Sequence, residues 1–251
     1  KDIQSPKSVH FTLNGKKVYV NSLEGARTAI YDSTGMQKLG LISHKFVPDD
    51  KEQAGILLDK KVPWGYKFPK TVENPNDFYG KPVELELSHK GNFLWVPYYR
   101  RSFDENGSMP SAVAIVDTST DKISRVMAVG PISKYVKRSN TGRWMAVSHW
   151  GDNTVGLIDI RGDKPEKFKH DHLLVVEKRV DPSKLTGDRD RNCGFCVRGL
   201  AFSEDDKYLF VTRMKGGGIA VFRLSPKGKA KPVYLGTVFG LVPGPRDSVI
   251  S

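Results

Sequence analysis

Cysteine is nearly absent: Cys193 and Cys196 are the only two among 251 residues, so any disulfide framework shrinks to one small loop. Long apolar runs are missing as well. No stretch approaches the roughly 18 apolar residues that a bilayer-spanning helix needs, which excludes a helical membrane protein. Helical periodicity is equally scarce, because 24 glycines and 15 prolines interrupt the chain and its apolar residues alternate or form short β-branched runs. Several catalytic signatures are lacking too. There is no G-x-S-x-G elbow and no G-x-x-x-x-G-K-[ST] phosphate loop, while His10, His44, His89 and His149 occupy unrelated positions. Paired carboxylates such as Asp49-Asp50 and Asp205-Asp206 fall at turns, where aspartate is favoured for backbone reasons. The chain opens at Lys1 without a basic and apolar leader, the pattern of a mature or trimmed chain.

What is present is positive charge and repetition. Forty Lys and Arg against 28 Asp and Glu leave a formal charge of +12, which favours anionic partners, although the two signs are interspersed and suit a solvated surface equally well. Four segments align without gaps: SVHFTLNGKKVYV (8–20), ELELSHKGNFLWV (84–96), KYVKRSNTGRWMAV (134–147) and GLAFSEDDKYLFV (199–211). In each, Thr12, Ser88, Ser139 or Ser203 stands three residues before a turn residue, Gly15, Gly91, Gly142 or Asp206. Strand, polar turn and strand predict a hairpin four times over.

A third strand follows each hairpin (26–32, 111–117, 153–159 and 217–223), ending seventeen residues after the turn in three repeats and twenty-six in the second. The nine extra residues fall in the polar stretch 100–109, expected to be a loop. A more variable fourth strand is clearest at 122–129 and 232–239. Four antiparallel strands recurring every few tens of residues predict an all-β protein built of propeller blades. The turn residues are 76, 51 and 64 apart, more than the roughly 40–45 residues of an uninterrupted blade, so insertions are expected at 43–80 and 161–195. The first carries Trp64, Tyr66, Phe68, Phe78 and Tyr79 and should pack on the propeller face. The whole chain, 1–251, reads as one domain.

The segments T-x-x-G-K-x-V-Y-V-N (12–21), A-I-V-D-T-S-T-D-K-I (114–123) and G-D-N-T-V-G-L-I-D-I (151–160) resemble YVTN-type β-propeller repeats, which are WD-repeat-like. The resemblance covers most of the chain outside the two insertions. It implies an extracytoplasmic bacterial protein, periplasmic, secreted or surface-attached with lipid anchoring open, that serves as a binding or scaffold module; some relatives of this type are lactonases or electron-transfer enzymes. Such propellers close with about seven blades, whereas this sequence shows four blades and, at 245–251, the first strand of a fifth. The expectation is an arc of a larger ring, incomplete at its C-terminal end.

Aligning the repeats superposes Lys7, Val83, Lys134, Arg198 and Arg246 eight residues before each turn, or where the fifth would fall. First strands line a propeller's channel, so these residues predict a basic ring able to hold a carboxylate or phosphate, or else side chains facing solvent at the channel mouth. The ends of the second strands bring Asn21, Tyr98, His149 with Trp150, and Arg213 to one side. His149 and Trp150 can hydrogen-bond and stack on a ligand, or pack between blades. Cys193-Gly-Phe-Cys196 has the spacing of redox pairs, half a zinc site or haem attachment. Val197 stands where haem attachment needs histidine, zinc would have to recruit His170 and His172, and a redox role needs a helix N-terminus; a local disulfide in an oxidising compartment fits best.

The expected function is therefore non-enzymatic binding, of a protein partner, of the remaining propeller blades or of an anionic ligand rather than nucleic acid, with no cofactor and no metal. The alternative is a lactonase-like hydrolase in which His149, Arg198 and Arg213 polarise a substrate in the channel.

Overall fold

Residues 3–47, 50–59, 61–181, 187–227, 230–240 and 244–245 are described by a computed structural model. The alternating pattern becomes four successive sheets, each built on a four-stranded antiparallel meander from an inner to an outer strand. The first blade comprises Pro6–Phe11, Lys17–Ser22, Arg27–Asp32 and Lys38–Ser43. The second comprises Glu86–Ser88, Phe93–Arg101, Ser111–Asp117 and Lys122–Val129. Ser133–Arg138, Trp144–His149, Thr154–Asp159 and Lys169–Val175 form the third. Val197–Phe202, Tyr208–Arg213, Ile219–Arg223 and Val233–Val238 form the fourth. The only helical pieces among the described residues are three-residue 3-10 turns.

The repeated turn chemistry has a backbone cause. Gly15, Gly91, Gly142 and Asp206 all adopt left-handed φ, from 55° at Asp206 to 89° at Gly91. Three of the upstream hydroxyls brace the hairpin: Thr12 Oγ1, Ser139 Oγ and Ser203 Oγ accept the backbone N–H five residues on, at 2.9–3.1 Å. Aspartate at the fourth turn gains a role that glycine lacks. The buried Asp206 carboxylate accepts the N–H groups of Asn140 and Thr141 at 2.8 and 2.7 Å, tying the fourth blade to the turn of the third.

Successive strand residues point to opposite faces, so one strand feeds two cores. Leu94 and Val96 face the first blade and meet Tyr19, Ile30 and Ile42, while Trp95 faces the third and meets Met145, Val147 and Ile158. Trp144 and Ala146 point the other way, toward Leu200, Leu209, Val211 and Phe222. Four sheets thus share three cores among the described residues. Among the described residues the outer faces of the first and fourth sheets have no such core: Val9, Phe11 and Leu41 of the first are exposed, as are Tyr208, Val233 and Val238 of the fourth, with Phe11 at 55% and Val238 at 56%.

The insertions differ from their expected bounds. Residues 161–195 include Lys169–Val175, which is the outer strand of the third blade; only the segment after it is an addition. The first insertion widens the second blade's sheet through Lys45–Phe46, Leu57–Leu58 and Phe78–Pro82. Its aromatics are used as packing groups. Phe78 enters the first core, Trp64 packs on the core between blades two and three, Phe68 meets Phe103, and Tyr79 stays exposed beside Lys45. The expected opening strand of a fifth blade, 245–251, and Arg246 with it, lie outside the described residues apart from Pro245.

Candidate functional site at the channel mouth

The inner strands bring Lys7, Val83, Lys134 and Arg198 to a single cavity of about 350 Å3. Each enters from the start of a different blade, as equal positions in a repeat must. Lys81, Arg100, Tyr99 and the carboxylates of Glu24, Glu84 and Asp190 complete the charged lining, which holds five cations and three anions. The ring is therefore less basic than the repeat alignment alone suggests. Arg198 pairs with Glu84 at 3.0 Å, Lys134 with Asp190 at 2.9 Å, and Lys81 with Glu24 at 2.8 Å. Lys7 has no ion pair among the described residues.

Lys134 is the most enclosed cation of the mouth. Its ammonium lies 4.3 Å from the ring centre of Tyr99 and 4.7 Å from that of Trp150. Burial lowers its pKa, and the like charges of Arg198 and Lys7 act in the same direction against the pull of Asp190. The half-buried Trp150 thus stacks on the protein's own lysine, and its Nε1–H donates to the Asp190 carbonyl at 3.1 Å.

His149 and Arg213 do not reach this cavity. His149 is fully buried; Gly130 N–H donates to its Nε2 at 3.1 Å, and its Nδ1 lies 2.8 Å from Thr154 Oγ1. Burial pushes its pKa down to about 3, so the ring is neutral at ordinary pH. Around it, Tyr66 O–H and Thr154 O–H donate to the buried Asp152 carboxylate at 2.6 and 2.7 Å, with Arg179 Nε donating at 3.2 Å. This network docks the first insertion onto the third blade. Arg213 is buried against the Phe195 ring at 3.7 Å and pairs with Glu177. The expected trio His149, Arg198 and Arg213 is not assembled: only Arg198 faces the mouth.

Cys193 and Cys196, both buried, are joined in a disulfide. The small loop they close holds Phe195, whose N–H donates to Asn153 Oδ1 at 2.7 Å, so the bridge fixes the entry to the fourth blade against the third. His170 instead faces the Ala128 carbonyl at 2.8 Å, and no cluster of three or more His, Cys, Asp or Glu side chains suited to a metal occurs among the described residues.

Glu24, Lys81, Glu84, Tyr99, Arg100 and Asp190 are polar residues of the site that sequence reasoning missed. Glu84 adjoins the ring position Val83 and could have been found by reading one residue further along the alignment. Asp190 belongs to the second insertion, which has no repeat to align.

No protein-family model matches the chain, and no curated protein is similar to it in sequence. Its fold is similar to a candidate 6-phosphogluconolactonase from Bacteroides fragilis, with TM-score 0.62 and 12% identity over all of this chain and 62% of that one. A second, from Bacteroides uniformis, gives TM-score 0.56 and 12% identity over 91% of this chain and 55% of the other. A protein from Lactobacillus plantarum gives 0.60 and 11% over 93% and 57%. Such identities speak for the fold alone, which is of the β-propeller type. The chain spans little more than half the length of these structures.

Proposed function

We propose that this protein is a propeller-borne binding module that captures a small anionic ligand at the channel mouth, with Lys7, Arg198 and Lys134 as the recognising cations. The carrying observation is their convergence on one cavity of about 350 Å3 with an excess of cations. A concave mouth of one predominant sign concentrates oppositely charged ligands. In the same reading the arc belongs to a larger YVTN-type ring. The whole chain, four blades, matches 62% of the Bacteroides fragilis structure, and 4/0.62 is about 6.5 blades, close to the expected seven. Further blades, on this polypeptide or another, would cover the bare outer faces of blades one and four. The disulfide supports an extracytoplasmic setting, in the periplasm or at the cell surface.

The hydrolase reading draws on the named structural relatives, whose name denotes an anionic lactone substrate. Opening a lactone in this mouth would need a base there, and the carboxylates at hand are Glu24, Glu84 and Asp190, not His149.

Calorimetric titration with succinate and with inorganic phosphate tests both readings. The wild type should bind at least one, and Lys7→Glu/Arg198→Glu should weaken that binding about 30-fold or more, since two charges are reversed in a partly enclosed site. Unchanged affinity in the double variant would sink the binding-site assignment. Turnover of a sugar-acid lactone that disappears in Glu84→Gln, with binding intact, would favour the hydrolase.

A further inference from the structure

Asp190 reaches the channel mouth from outside the repeat, and its two halves are held very differently. Its backbone is fixed: the carbonyl accepts Trp150 Nε1–H at 3.1 Å, while the preceding Arg189 is fully buried, donates its guanidinium to the Gly151 carbonyl and donates its N–H to Asn106 O at 2.7 Å. The carboxylate, by contrast, is held by side chains: the Tyr99 hydroxyl hydrogen-bonds to it and the Lys134 ammonium pairs with it. Oδ1 is 2.9 Å from Lys134 Nζ, yet this buried oxygen receives no aligned hydrogen bond. Rotation about the Cα–Cβ bond would withdraw the carboxylate from Lys134 without moving the anchored chain.

We infer that Asp190 is a tethered occupant of the oxyanion position, and that a free oxyanion binds the mouth by displacing it from the Tyr99–Lys134–Trp150 cradle. The inference rests on the proposed anion-binding reading and names both the ligand class and the competitor. With Asp190 in place the lining carries five cations against three carboxylates; with Asp190 withdrawn the anions drop to two. A compact dianion, a dicarboxylate or a phosphate monoester, matches that exchange: one of its charges replaces Asp190 on Lys134, and the other meets Arg198 and Lys7. An oxyanion with several free oxygens can also supply the alignment that Oδ1 lacks.

A tethered competitor lowers apparent affinity by the fraction of time it holds the site, so Asp190→Asn should tighten binding of the preferred dianion by about tenfold. Glu24→Gln makes the same charge change in the same cavity but frees only the rim residue Lys81, and should change affinity less than about threefold. Succinate and inorganic phosphate, titrated separately into all three proteins, distinguish a carboxylate site from a phosphate site. Equal tightening by both substitutions would mean a general charge effect and would overturn the inference, as would no tightening by Asp190→Asn. If the wild type binds and Lys7→Glu/Arg198→Glu abolishes binding while Asp190→Asn changes nothing, the binding reading stands and the tethered-occupant inference alone falls. No binding by any protein would remove both.

Discussion

Lowering the pH from 7 to 5 is expected to remove roughly 4 kcal/mol of folding stability, about half from His44 and half from His149. Both rings are fully buried, and desolvation holds each folded pKa at about 3, against 6.5 in the unfolded chain. The unfolded state therefore takes up the proton first. The contribution is fully present above pH 6.5 and is lost progressively as pH falls toward 3, at about 1.4 kcal/mol per pH unit for each histidine, or about 2 kcal/mol each by pH 5. His170 adds in the same direction, since burial lowers its pKa too. Asp152 works in the opposite sense: burial raises its carboxyl, so the folded state accepts a proton there more readily than the unfolded chain and offsets part of the loss. Against a typical total of 5–15 kcal/mol the net change is large. Urea titrations at pH 7.5, 6 and 5 would measure it, and His149→Asn should flatten the slope by about one proton. A slope near zero in the wild type would show that these rings are not held neutral.

A single methyl group at Gly156 is expected to dislodge the first insertion. Gly156 pairs with Val147 and Leu173 in the third blade, and a Cβ there would sit 2.3 Å from Trp64 Cη2 and 3.1 Å from His149 Cε1. The indole rests on bare backbone. Trp64 has little freedom to yield, because its own φ is 56°, it packs against His149 and His170, and its neighbour Tyr66 is fastened to Asp152. Overpacking of this kind costs about 1–3 kcal/mol, and here the strain can be relieved by releasing the segment around Trp64. Gly156→Ala should accordingly lower stability by about 2 kcal/mol and speed tryptic cleavage after Lys61, Lys67 and Lys70, whose side chains are already exposed but whose backbone the docked segment holds in place. In a Trp64→Ala background the same substitution should be nearly neutral, a coupling of more than about 1 kcal/mol. Equal cost in both backgrounds would disprove the contact.

The blade pattern was legible because it is set by local chemistry. Left-handed turns select Gly or Asp, a Ser or Thr braces each hairpin, and strands buried on both faces, such as Phe93–Val96 and Trp144–Val147, show up as unbroken apolar runs. Lys169–Val175 escaped because an outer strand is only partly covered, and KHDHLLV carries too little apolar signal to stand out from an insertion. The basic positions of the mouth followed from repeat symmetry, so Lys7, Lys134 and Arg198 were found together. Their counter-charges were not, since Asp190 arrives from a segment without periodicity and Glu84 lies one step off the aligned position. His149 misled for a third reason. A histidine at a strand end reads alike whether it faces ligand or core, and only the docking of Tyr66 from 83 residues away decides between them.

Three shared cores among four sheets also determine how the described part of the molecule comes apart. A closed ring gives every blade two neighbours, whereas among the described residues the first and last sheets have one each, and an array of that kind behaves as a line whose local stabilities add by nearest neighbours. Opening should start at the ends and move inward, with amide protons of blades two and three exchanging more slowly than those of Pro6–Phe11 or Val233–Val238. The charged cavity draws side chains from all four sheets. Its integrity is thus tied to the two units most prone to fray, and whatever covers their outer faces would also set how well the mouth holds a ligand.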